Sequence, residues 1–147
     1  MSVVAHTLPT TSPSVAGAAR AGATSAGVAI AADLAVLGVA TLAGADMVVR
    51  QSASQAAMHI SGPVVAVTVL VPVFAGTLLL IAARRWGARG WRAVAAAGLA
   101  LGVVSIVMPL AMEAAPGTRL ALPSMHVISG VSWFLVVRRA ATRFRDV

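Results

Sequence analysis

Two uncharged apolar runs, Val64–Ala83 and Ala93–Met112, each 20 residues long, constrain this chain more than any other feature. A helix rises about 1.5 Å per residue, so each run reaches about 30 Å, the thickness of a bilayer's hydrocarbon layer. Between them stands Arg84-Arg85-Trp86-Gly87-Ala88-Arg89-Gly90-Trp91-Arg92, with four arginines and two tryptophans in nine residues. Arginine-rich loops are retained on the cytoplasmic side, and tryptophan favours the headgroup level. The pattern predicts a transmembrane hairpin with its turn inside.

Of the 147 residues, 59% are hydrophobic and 10% charged, too apolar for an ordinary soluble domain. The basic charges are eleven arginines and no lysine. They fall between and after apolar runs, where membrane topology explains them, so nucleic acid is not expected as a partner. The lipid bilayer is, together with a second copy of the chain or another membrane protein. Cysteine is absent, which excludes disulfides, thiolate metal sites and cysteine nucleophiles.

Residues 1–23, rich in Ser, Thr, Pro, Ala and Gly, read as a disordered cytoplasmic tail containing a solvated His6. A first span is expected over Thr24–Ala43. Its seven larger aliphatic residues contribute roughly −2 to −4 kcal/mol to insertion, and Asp33 costs roughly +2.5 to +3.5 kcal/mol at the centre. The two nearly cancel, so this helix needs partners. Ala43-Gly44-Ala45 also resembles a signal-peptidase site, but the long leader and Asp33 argue against cleavage. The connector Asp46–Gly62 is apolar enough for a short interfacial helix capped by Asp46, with Arg50 and His59 solvated.

The second span, Val64–Ala83, contains Pro72, which predicts a kink, and Thr68, able to bond a nearby carbonyl. The third, Ala93–Met112, places Gly98 and Gly102 on one face and Pro109 in its last turn. Glu113–Arg119 forms a short outer turn, with Thr118 as a candidate N-cap. The fourth span, Leu120–Val137, should become regular near Leu122, after which Arg138 and Arg139 lead a basic tail over 140–147. The expected fold is an all-α, four-helix membrane bundle over 24–139. With both termini inside, nine arginines lie inside and two, Arg50 and Arg119, outside. The topology determinants are Arg84, Arg85, Arg89, Arg92, Arg138 and Arg139.

From Val64 to Val137 the order of spans and turns, and above all Met125-His126 followed by Gly130 in Leu120-Ala121-Leu122-Pro123-Ser124-Met125-His126-Val127-Ile128-Ser129-Gly130, resembles an uncharacterised family. That family comprises small four-span membrane proteins, mainly of high-GC actinobacteria, and is known only as a domain of unknown function. The resemblance implies an architecture and no activity. Asp33 looks like a position where such proteins often carry asparagine, so an aspartate here is a departure.

Asp33 and His126 are the only ionisable groups deep inside the expected spans. Such residues mark functional sites by default, and the structural alternative is an interhelical hydrogen bond. Counted from the inner ends, they lie about 13 and 16 Å deep, so the first and fourth helices should be neighbours with this pair in contact. No metal-ligand spacing, phosphate loop or cofactor motif is present, and Ser124 and His126 point about 200° apart on a helix. Ser129 shares the face of His126 without a nucleophile motif. The sequence thus predicts a non-enzymatic structural or interaction subunit of the cytoplasmic membrane. A small proton-coupled carrier using Asp33 and His126 is the alternative.

Overall fold

The structure, a computed structural model, describes residues 12–52 and 54–144. Its helices are α1 (Val15–Leu42), α2 (Gly62–Ala83), α3 (Gly87–Val104), α4 (Val107–Ala111) and α5 (Pro116–Ala141). Three short strands, β1 (Val48–Arg50), β2 (Met58–His59) and β3 (Glu113–Ala114), complete it. Three helical stretches are long and apolar enough to cross a membrane: Val15–Leu42, Gly62–Ala111 and Pro116–Ala141.

The middle stretch, 50 residues long, doubles back on itself. A 3₁₀ turn, Arg84–Trp86, follows α2, and Gly87 then takes φ 59°, a left-handed conformation that glycine adopts without steric cost. Leu80 before the turn and Trp91 after it share one apolar cluster, so α2 and α3 run antiparallel. The turn is tight because Gly90 lacks a side chain: a Cβ there would stand 2.5 Å from the Ala83 carbonyl oxygen. The helix therefore restarts at Gly87, earlier than the expected Ala93, and carries Arg89 and Arg92. Trp91, expected at the headgroup level, is instead 0% exposed and meets Phe144 edge-to-face at 4.9 Å. Trp86, by contrast, is 57% exposed.

Helix α1 begins at Val15, so residues 15–23 are helical where the composition suggests a tail. Ser14 caps them by accepting from the Gly17 amide at 3.0 Å, and Ala18, Ala21 and Gly22 are buried. Small residues look featureless in sequence, yet they let helices approach closely. Residues 1–11, including His6, lie outside the described part. At the other end Gly44 at φ 87° stops α1, and the Ala45 amide bonds back to the Ala40 carbonyl.

Pro72 lies within α2, where Thr68 Oγ1 donates to the Val64 and Val65 carbonyls. Pro109 breaks the expected third span at 105–106. A proline clashes with the carbonyl four residues before it, here Ser105, which accepts from Met108 instead at 3.2 Å. Helix α5 starts at Pro116, earlier than Leu122, because a proline suits a first helical position. Pro123 is carried inside it.

The connector holds strands, not an interfacial helix. β1 pairs antiparallel with β2 (Val48 opposite His59) and with β3 (Arg50 opposite Glu113), giving the order β2-β1-β3. β-Branched Val48 and Val49 favour this, and Met47, Val49 and Ile60 bury against Val65, Leu122 and Met125. Asp46 and Thr118 cap no helix. Thr118, fully buried in the first turn of α5, donates to Asp46 Oδ1 at 2.8 Å and accepts from the Met47 amide at 3.1 Å. This latch ties the first connector to the last helix.

The Thr118 hydroxyl, then the Val48 amide, holds the Asp46 carboxyl below its ordinary value of 3.8. A depressed carboxylate contributes stability that is present above its unfolded value and fades as pH falls through the folded one. Thr118→Val should return the Asp46 midpoint toward the ordinary value in a carboxyl NMR titration. It should also cost about 1–3 kcal/mol, because the buried Met47 amide loses its acceptor. An unmoved midpoint would refute the latch.

Candidate functional site

The helices surrounding Asp33 meet through small residues. Along α1 the buried positions Ala18, Gly22, Ala26 and Ala29 recur on one face, and Asp33 follows in the same register. Between α3 and α5 a Cβ placed at Gly102 would lie 2.8 Å from Gly130 Cα. Trp133 enters the space left by Gly76 of α2 and Gly98 of α3, and its Nε1 donates to the Val94 carbonyl at 3.2 Å. The glycine pair Gly98 and Gly102 is thus a crossing point, and Gly130 of the Met-His-x-x-x-Gly pattern is its counterpart.

Asp33 is 2% exposed and lies against α5. Its Oδ2 accepts from Ser129 Oγ at 2.7 Å, while Oδ1 is buried without a hydrogen-bond partner. The first and last helices are therefore neighbours, as the matched depths predict, but the direct partner is Ser129, one turn beyond His126. His126 stands within electrostatic reach of Asp33. Its Nδ1 lies 2.9 Å from the Leu122 carbonyl of its own helix, an acceptor, so Nδ1 carries the proton. Ser25, on the same face of α1, also buries an unpartnered hydroxyl. Ser129 was visible in the sequence only as the residue sharing the face of His126.

This arrangement can fix helix register. It lacks a nucleophile–base pair, since the Ser129 hydroxyl faces a carboxylate and His126 is turned to its own backbone. Among the described residues, no three His, Asp or Glu side chains come together as metal ligands would.

The arginines expected to set the topology occupy a second region. Arg84, Arg85, Arg89, Arg92, Arg138 and Arg139 are exposed, as are Arg20 and Arg143. The cluster of Ala18, Leu80, Trp91, Val137 and Ala141 brings their segments to one end of the molecule. The sheet lies at the opposite end with Arg50, Arg119, Asp46 and Glu113.

Comparison with known proteins returns one family. The profile of a family of unknown function (DUF6069) matches residues 13–143, and the chain belongs to that family. No curated protein and no solved structure matches it.

Proposed function

We propose that this member of the DUF6069 family is a four-span protein of the cytoplasmic membrane, with both termini cytoplasmic. It acts as a structural or interaction subunit, through helix packing with itself or another membrane protein, and is not an enzyme. The observation that carries this reading is the separation of charge. Eight exposed arginines crowd one end, while at the sheet end two arginines are offset by two acids. Cationic ends stay inside. The exposed side chains of the α2–α3–α4 limb support it: Val67, Val71, Phe74, Leu101, Val104 and Val107 face outward, as lipid or a partner helix requires.

Since the chain has no cysteine, introduced thiols report topology directly. Ser54→Cys should react with a membrane-impermeant maleimide in intact cells, and Arg89→Cys only after lysis. Labelling of Arg89→Cys from outside would reject the topology.

The unpartnered Oδ1 of Asp33, with His126 nearby, favours one second reading, a proton-coupled carrier. Proton flux in proteoliposomes that disappears with Asp33→Asn would establish it, and wild-type liposomes that stay tight would dismiss it.

A further inference from the structure

The arginine end is more than a topology signal. Arg20 comes from the start of α1, Arg84 and Arg85 from the 3₁₀ turn, Arg89 from α3, and Arg138 and Arg139 from the end of α5. Described acids stand elsewhere: Asp33 is buried between helices, and Asp46 and Glu113 belong to the sheet end. So dense a group of cations repels itself unless anions lie against it.

Two of these guanidinium groups are held by aromatic rings. Arg85 lies over the Trp86 ring at 4.2 Å, and Arg138 over Phe134 at 5.5 Å. Stacking uses the face of a guanidinium and leaves its N–H edge available for paired hydrogen bonds to phosphate oxygens. Both pairs also sit where apolar surface ends: Leu135 and Leu79 are exposed just before them along α5 and α2. An anionic group joined to hydrocarbon, as the phosphate of a phospholipid is, fits this border.

We propose that the arginine end binds the headgroups of anionic phospholipids, with Arg85 and Arg138 as stacked phosphate-holding residues. The proposal rests on the membrane reading above, and its test separates the two. If the protein stays in solution without detergent, the membrane reading fails whatever lipid does.

Purified wild-type protein in neutral detergent is titrated with phosphatidylglycerol or with phosphatidylcholine of the same acyl chains, following thermal unfolding and lipid retention by native mass spectrometry. Phosphatidylglycerol should raise the midpoint and be retained in preference, and the preference should shrink with salt. Each arginine near an anionic surface is worth about a fivefold change in binding, so Arg85→Gln with Arg138→Gln should lower the preference more than tenfold. Arg85→Lys with Arg138→Lys keeps the charge and loses the fork, and should fall between the two. Equal stabilisation by both lipids overturns the proposal, with no variant needed. So does a glutamine variant, folded by circular dichroism, that keeps the full preference. Inorganic phosphate or polyaspartate matching phosphatidylglycerol would also overturn it, in favour of a soluble anion or an acidic protein.

Discussion

Gly102→Leu is expected to cost about 3 kcal/mol or more of stability, and to lower the unfolding midpoint in detergent further than any substitution at an outward-facing glycine. The reason is what a side chain would meet. A Cβ at Gly102 stands 2.8 Å from Gly130 Cα and 3.0 Å from the His126 carbonyl oxygen, and both are backbone atoms that cannot rotate away. The α3–α5 crossing must then open, and Trp133 loses its seat between Gly76 and Gly98. Gly38→Leu is the control, since nothing lies within 4 Å of a Cβ there. It should be neutral or gain up to about 1 kcal/mol from helix propensity. A Gly102 variant as stable as the Gly38 variant would show that the helices do not cross at this point.

The second large effect concerns Asp33 and depends on context. For α1 alone, Asp33→Leu should favour membrane insertion by about 3 kcal/mol, more than a hundredfold in the equilibrium. In the full chain the gain should vanish, because α5 covers Asp33 and Ser129 donates to its carboxylate. Glycosylation reporters placed in the isolated helix and in the whole protein measure both. Complete insertion of the wild-type helix on its own would remove the need for partners, and with it the assigned role of the α1–α5 contact.

Which parts could be read in advance follows from where the information resides. The apolar runs around Arg84–Arg92 state their length and hydropathy directly, so the hairpin was legible. The same runs said nothing of the break at Ser105, which depends on the reach of Pro109 back to that carbonyl. Residues 15–23 looked like a tail because alanine and glycine carry little hydrophobic signal. What makes them helix is packing against Trp91 and Ala141, a tertiary fact. The sheet was hidden for a similar reason: β1 holds three residues, and one of its partners lies beyond three helices. At the site, depth counting brought the helices of Asp33 and His126 together. Depth does not encode azimuth, so it could not distinguish Ser129 from His126 as the carboxylate's partner.

The strand order gives the molecule a late step in its assembly. β1 meets β2 across a short loop, but it meets β3 only after α2, α3 and α4 have been laid down between them. Closing a long loop costs more entropy than closing a short one, so the local pairing forms first and the distant pairing waits. During synthesis, Arg50 and Val49 remain without their Glu113 and Ala114 partners until the chain beyond α4 arrives. The sheet then works as a clasp, shut only when every helix before it has taken its place. A chain whose middle stretch threads wrongly would leave that edge open, and the cell's proteases would meet an unpaired strand instead of a closed end.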